Sequence, residues 1–457
     1  MTELPNGFTG MPRSPRNAFA SRSYMGTSSQ QSYAPSASDY AFNAQQHLTF
    51  PAALGSYARG ADVYPTPAFS EHELAELTDV KRRHAWIEID LSALRNNVRE
   101  VRKRVNSNVH ILAVVKADAY GHGAVEVARE ATRAGASFLA VATVEEGIQL
   151  RDAHITAPIL MLSQPPLTAI ELLLAYHIIP SIYEVSFALA YGECADAHGV
   201  EAPYHLAVNS GMNRIGVRYD EVGAFLMQVN FHRALKLEGI FTHFATADEP
   251  EVFDFEIQVR RFEEALAHVF QMGIDPGIVH AANSAATLRF PKVHYHMVRW
   301  GIGMYGHAPF PQAYEYANLK PVMSVHARIT AVKTVPMSEG VSYGFNYRSP
   351  GSVKICTIPF GYADGLVRAL SGKIDFLLNG KRVAQVGNIC MDQCMFEVNM
   401  RSFATRMRLE PQVGDEVVII GTQGEGAIAL HEHTKILDTI PYELLIGFSK
   451  RAYRIFT

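Results

Sequence analysis

From residue 85 onward the spacing of hydrophobic and polar positions changes in a regular way. The stretch AWIEID (85–90) alternates residue by residue, the period of a half-buried strand, and LSALRNNVREVRKRV (91–105) moves to the period of an amphipathic helix. HILAVV (110–115) is a continuous apolar run that ends at Lys116 and passes into ADAYGHG, a glycine-bearing loop, before a helical stretch over 124–134. SFLAVAT (137–143), PILMLS (158–163), IIPSIY (178–183), YHLAVNSG (204–211), LEGIFTHFA (237–245) and IVHAANS (278–284) repeat this rhythm of short apolar runs set between helical stretches. Runs without a polar face suit strands buried in a parallel sheet, and their alternation with helices suits β/α units. Their number predicts an α/β fold, an eight-stranded (β/α) TIM-type barrel.

The rhythm breaks after about residue 308. SVHARITAVKTV (324–335), VKICTIPF (353–360), RVAQVGNICM (382–391) and DEVVIIG (415–421) read as strands and turns without intervening helices, so a mostly β C-terminal domain follows the barrel. The expected organisation is a barrel over 91–315 and a β domain over 316–457, with 71–90 as a lead-in and first strand packing with the β domain. Residues 1–70 are rich in Ser, Ala, Tyr, Gln and Pro and lack apolar runs. Such a segment cannot bury enough apolar surface to offset its ordering entropy, and a disordered or loosely docked extension is expected there.

Composition narrows the classes of function. A formal net charge of −4 and no basic stripe give no reason to expect a nucleic-acid partner. No apolar stretch is long enough for a membrane span, and the N-terminus lacks the basic-then-apolar order of a secretory signal. A cytoplasmic location is expected. Arg13, Arg16 and Arg22 with little acid around them give a faint likeness to an organelle transit peptide, the alternative for the extension. Four cysteines do not make a disulfide scaffold. Cys390 and Cys394 have no second Cys or His pair near them in sequence, so no metal site is expected.

Lys116 is the first candidate for chemistry. It ends a predicted barrel strand, where active sites collect. Partial burial lowers a lysine's pKa and turns its amine into a nucleophile able to bond an aldehyde cofactor. From the local pattern alone, a strand-end lysine facing solvent is the simpler account.

The wider sequence changes that weighting. VVKADAYGHG resembles the cofactor-lysine motif of the alanine racemase family, which typically reads VVKANAYGHG. WIEIDLSALRNN, SGMNRIG, GIFTHFATADE, HAANSAA, VRWGIGMYG, VSYGFNY, IPFGYADG, GNICMDQ and IPYELL resemble further family motifs in the family's order, from about residue 84 to 457. The resemblance implies a pyridoxal-phosphate enzyme of barrel plus β domain, acting on a small amino acid as a homodimer whose active sites are completed by the partner subunit. It implies interconversion of L- and D-alanine, supplying peptidoglycan.

Residue by residue, the resemblance implies that Lys116 holds pyridoxal phosphate and serves as one base. Tyr343 would be the second base, reaching into the partner's site, because racemisation removes a proton from one face of the α-carbon and returns it to the other. Arg299 would meet the pyridine nitrogen as a pure donor. Ser284, Tyr442, Tyr120 and the backbone amides near Gly301 and Ile302 would hold the phosphate, with Asn283 in the same cradle. His243 would lie by the ring, and Arg214 would approach both its phenolic oxygen and the substrate. Met391 and Asp392 would bind the substrate carboxylate from the partner chain, and Tyr362 would line the approach corridor. Without the motifs, Ser284 reads as a helix N-cap, His243 as a packed histidine, Arg299 as a surface residue and Tyr343 as an aromatic at a turn.

The sequence also departs from the family. Where alanine racemases read close to KVDTGMGRLG, this chain reads AVNSGMNRIG (207–216). Ala207 replaces a lysine that many members carbamylate to support the arginine, and Asn209 replaces an aspartate; a bound anion such as chloride is the candidate substitute for the lost charge. This stretch resembles broad-specificity racemases that accept serine, lysine and arginine, whereas SYGFNY and IPYELL resemble the alanine type, which is the reading adopted. Asn388 and Trp300 stand where arginine and proline are common. A decarboxylase on the same barrel would carry an acid in place of Arg299, and a non-catalytic cofactor carrier would lack the second domain and Tyr343.

Overall fold

The computed structural model describes residues 84–398 and 410–457. The extension expected over 1–70, and the lead-in as far as residue 83, lie outside the described residues.

The first strand, β1 (Ala85–Ile89), runs into a helix over Leu91–Arg102. The helix begins where the Asp90 carboxylate accepts the Ala93 amide at 2.9 Å, satisfying a donor that the first turn leaves unpaired. It buries Leu94, Val98 and Val101 along one stripe, the spacing that its sequence period predicts.

Eight parallel strands then close a barrel: β2 (His110–Val114), β3 (Phe138–Val141), β4 (Ile159–Met161), β5 (Ile178–Ile182), β6 (Ala202–Asn209), β7 (Leu235–Phe241), β8 (Ile278–His280) and β9 (Met297–Trp300). Neighbours in this order pair in parallel, and β9 returns to pair with β2, so the sheet has no edge. The predicted eight-stranded barrel is the fold observed. Its strands read as unbroken apolar runs because helices cover the outside and side chains fill the inside; β3, β4 and β5 are buried at every position.

The C-terminal part contains β10 (Met323–Arg328), β11 (Ala331–Val335), β12 (Val353–Ile358), β13 (Asp375–Leu378), β14 (Lys381–Val386), β15 (Cys394–Val398), β16 (Glu416–Gln423), β17 (Gly426–Ile428) and β18 (Tyr453–Phe456). With β1 they form a ten-stranded sheet in the order β11–β12–β15–β14–β13–β16–β10–β1–β18, with β17 beside β16. All these pairings are antiparallel except that of β1 with β18, which is parallel. The first strand is therefore central to the second domain's sheet and outside the barrel. Two short helices, Leu430–Leu437 and Pro441–Gly447, interrupt this mostly β region. Among the described residues no helix is long and apolar enough to cross a membrane.

One local feature differs from the glycine-bearing loop that the sequence suggests. Ala117, Asp118, Ala119 and Tyr120 all adopt left-handed backbone angles, with φ of 52–53°. Each L-residue in that conformation costs roughly 1–2 kcal/mol, so neighbours must hold the turn. Glu146 accepts the Ala117 amide at 2.6 Å, Asp118 accepts the Ala124 amide at 2.8 Å, and the His122 imidazole meets the Ala119 and Tyr120 carbonyls at 3.0 and 2.9 Å. Arg454 donates twice to the Gly121 carbonyl, at 3.0 and 2.9 Å. A Cβ on Gly121 would come within 2.4 Å of the Leu445 carbonyl oxygen, so only glycine lets the turn rest on the helix over Pro441–Gly447.

Candidate active site

The C-terminal ends of the barrel strands open into a cavity of about 560 Å³. Lys116 enters it from just beyond β2, Arg214 from the loop after β6, His243 from just beyond β7, and Asn283 and Ser284 from just beyond β8. Arg299 points in from β9, Gly301 and Ile302 follow it, Tyr120 comes from the left-handed turn, and Tyr442 from the helix over Pro441–Gly447. Ten residues proposed from separate motifs thus converge on one wall-to-wall site.

The half-buried Lys116 amine is held below the ordinary lysine range, first by burial and then by the Arg214 charge, while Glu146 opposes both. A depressed amine pKa leaves more of the free base at neutral pH, which a nucleophile or proton acceptor needs. Burial raises the Tyr120 phenol, and burial with Asp248 pushes Tyr442 up to about 12, so both hydroxyls stay protonated and can donate.

Ser284 does not cap its helix, as the simpler account had it. Asn283 is the cap, its side chain accepting the Ala286 amide at 3.0 Å, and Ser284 is the first helical residue. The Ser284 hydroxyl instead accepts the amides of Gly301 at 3.0 Å and Gly303 at 3.4 Å. Asn283 also donates to the Phe244 carbonyl at 3.3 Å, bracing two strand ends against each other. A Cβ on Gly301 would sit 3.1 Å from the Tyr120 hydroxyl and 3.8 Å from the Ser284 hydroxyl, so the glycine keeps this hydroxyl-lined recess open. Trp300 is fully buried, and its ring takes the space beside Gly303, where a Cβ would meet it at 2.3 Å.

Arg299 is a buried cation rather than a surface residue. It donates to the Thr242 and Ala281 carbonyls at 2.8 Å each and contacts His280 Nδ1 at 3.0 Å and His243 Nδ1 at 3.1 Å. Among the described residues no carboxylate pairs with it. Burial, with Arg214, disfavours its charge, and the same burial with the Arg299 charge holds His243 and His280 well below the usual imidazole range. Both histidines are therefore neutral acceptors toward the guanidinium. His280 passes the arrangement on, with His205 Nδ1 at 2.9 Å from its Nε2.

His280, His205 and Glu146 have no place in the sequence-derived site. The two histidines carry a signal in hindsight, a polar residue within an otherwise apolar strand. Glu146 carries none, because its contact with the lysine's turn bridges 29 residues.

Around the departure from the family, Ala207 is buried and Asn209 accepts the amides of Gly211 and Asn213 at 3.1 and 3.0 Å. Asn209 thereby shapes the loop that delivers Arg214, whose guanidinium makes no hydrogen bond or ion pair among the described residues.

The other four proposed residues do not line this cavity. Tyr343, Tyr362 and Met391 are exposed, Tyr343 by 75%, and Asp392 is exposed in an ion pair with Arg451 at 2.7 Å. They form a second cluster on the β domain. Ser342 donates to the Asn388 carbonyl at 2.8 Å, and the Asn388 amide donates to the Tyr343 carbonyl at 2.7 Å. The Tyr362 and Ala363 amides bond the Cys390 and Met391 carbonyls at 3.0 Å each. Asn388 thus has a structural account as the brace of the Tyr343 loop.

Comparisons with known proteins identify the family and its fold. A family model described as the alanine racemase N-terminal domain matches residues 89–309, and one for the C-terminal domain matches residues 322–456. The chain is similar to an alanine racemase of Nostoc sp., 41% identical over 82% of this chain and 96% of that protein. It is 42% identical to one of Carboxydothermus hydrogenoformans, over 82% of this chain and 100% of the other. Among solved structures, an alanine racemase from Bacillus anthracis with bound L-Ala-P superposes with a TM-score of 0.76 at 39% identity, covering 82% of this chain and 95% of that one.

Proposed function

The chain belongs to the alanine racemase family, and on that premise we propose that Lys116 and Tyr343 divide the two proton transfers of racemisation between opposite faces of the α-carbon. The enzyme is an isomerase that interconverts L- and D-alanine with pyridoxal phosphate as cofactor. When bound, pyridoxal phosphate supplies the electron-withdrawing ring that makes the α-proton removable.

The residues present suit that group. In this reading the Lys116 amine holds its aldehyde, and the recess lined by Ser284, Tyr120, Tyr442 and the Gly301 and Ile302 amides, with Asn283, takes its phosphate. Hydroxyls that remain protonated and backbone amides are the donors an anion needs. Arg299, buried with no carboxylate partner among the described residues, would face the ring nitrogen as donor only and so favour its unprotonated form. His243 would lie by the ring, and Arg214, unpaired among the described residues, would be free for the phenolic oxygen or the substrate carboxylate.

The observation that carries the two-base reading is the separation of the two clusters. Lys116 lies inside the cavity, whereas Tyr343 stands 75% exposed on the braced loop outside it. We place Tyr343, Met391, Asp392 and Tyr362 in the active site of a second copy, so that a homodimer completes each site. We assign the D-alanine produced to peptidoglycan supply and the enzyme to the cytoplasm. Ala207 and Asn209 favour a second reading, activity on serine, lysine and arginine, and rates on those amino acids above the alanine rate would establish it.

Incubation with L-alanine in deuterium oxide tests the main reading. Deuterium at the α-carbon together with D-alanine is expected; a chain that binds the cofactor without exchange would be a carrier.

A further inference from the structure

The left-handed turn that follows Lys116 is held by one carboxylate from another strand end. Glu146 lies at the start of the helix over Val144–Asp152, beyond β3. Its Oε1 accepts the Ala117 amide at 2.6 Å, the first backbone donor after the lysine. Its Oε2 accepts the Ala142 amide at 2.7 Å and the Thr143 amide at 3.3 Å. The Glu146 amide in turn donates to the Thr143 hydroxyl at 3.3 Å, so a capping box helps fix the glutamate's own position. One side chain therefore spans the ends of β2 and β3 and fixes the exit of the chain at Lys116.

We propose that Glu146 is a positioning residue for Lys116: its carboxylate anchors the backbone where the lysine leaves its strand and places a negative charge at that exit. The two roles use the same atoms. A glutamine of equal size has one acceptor oxygen where three amides converge, and no charge. The ionisable groups sharing the cavity with Lys116 are Tyr120 from its own turn, Arg214, His243, Asp248, Arg299 and Tyr442. Arg214 and Arg299 are cations with no carboxylate partner among the described residues, so Glu146 offsets a local excess of positive charge. The balance at Lys116 runs the same way, Glu146 opposing burial and Arg214. A carboxylate near an amine favours the protonated amine, so Glu146 keeps Lys116 able to return a proton as well as remove one.

The inference rests on Lys116 being the cofactor lysine, which borohydride fixation of the cofactor followed by peptide mass analysis tests separately. Glu146 is tested by competitive labelling of the Lys116 amine across pH, read by mass spectrometry in the full-length chain stripped of cofactor. In E146Q the titration of Lys116 shifts downward from wild type, and in the cofactor-loaded enzyme the acid limb of kcat, which reports the amine once substrate has displaced it, moves the same way. T143A removes the capping hydroxyl but keeps the carboxylate and its bonds to the Ala117 and Ala142 amides, so its Lys116 shifts by much less than in E146Q. Should E146Q fail to fold, E146D is read instead; drawing the carboxylate back from Ala117 shifts the titration downward by less. An unshifted titration in E146Q, or in E146D where that variant is read, overturns the proposal, as does an equal shift in T143A.

Discussion

The barrel mouth and the loop cluster of the β domain are built on opposite plans. At the mouth, polar groups are buried and converge: Arg299 is 3% exposed and hydrogen-bonded on several sides, and Ser284 bridges two amides. On the β domain the backbone is as well braced, through Ser342, Asn388 and the Cys390 and Met391 carbonyls, yet Tyr343 and Met391 point outward with 75% and 53% of their surface free. A braced loop that presents a large aromatic to solvent is the kind of surface a partner covers. On the proposal that a second copy completes each site, the difference marks where one polypeptide would finish its own site and where it would need the other.

The largest test of this contrast removes one residue from each region. Lys116→Ala loses both the cofactor bond and a base, and racemase activity is expected to fall by more than about 10⁴-fold. Tyr343→Phe keeps the cofactor's absorbance and loses about 10²–10⁴-fold in kcat/KM. If the clusters meet across a dimer, mixing the two inactive variants after subunit exchange restores activity. Half the dimers are then mixed and each holds one intact site of two, so about one quarter of wild-type activity is expected. No recovery, with exchange verified, would place both residues in one chain's site.

A middle-sized effect sharpens the barrel side alone. Ser284→Ala removes a hydroxyl from the phosphate recess and is expected to weaken cofactor binding by about tenfold, close to one charge-assisted hydrogen bond, measured by absorbance titration. Tyr343→Phe leaves that constant unchanged, since its cluster lies elsewhere.

The smallest effect concerns the buried imidazoles. Burial holds His205 and His122 at about 3, against an ordinary 6.5. Both are neutral in the folded chain and take up a proton on unfolding at acid pH. Between pH 6.5 and about 3 the unfolded state binds more protons, so their contribution is complete above 6.5 and is lost as pH falls through that window. Each group costs at most about 1.4 kcal/mol per pH unit. The melting temperature is expected to drop from pH 7.5 to pH 5, and His205→Asn to flatten part of the drop; an unchanged slope would show that His205 is not the titrating group.

The same contrast explains what the sequence discloses. The barrel was legible because β3, β4 and β5 are buried at every position and leave unbroken apolar runs. That the first strand packs with the β domain was expected, but its place between β10 and β18 rests on pairings more than 200 residues away in sequence, which no local period records. The left-handed turn was hidden because Ala117 and Ala119 favour right-handed helices when neighbours do not intervene. Arg299 was misread on local grounds because its partners are backbone carbonyls and histidines of other strands, invisible to a motif of charges.

The parallel pairing of β1 with β18 carries a consequence for how the molecule is made. β1 emerges early in synthesis, but one of its two neighbours is Tyr453–Phe456, and Arg454 in that strand also grips the Gly121 carbonyl beside the cofactor lysine's turn. The barrel strands are complete by Trp300, whereas the turn receives its last restraint only when residues near 454 leave the ribosome. A chain cut short of residue 453 would keep every barrel strand and lose this clamp on the turn after Lys116.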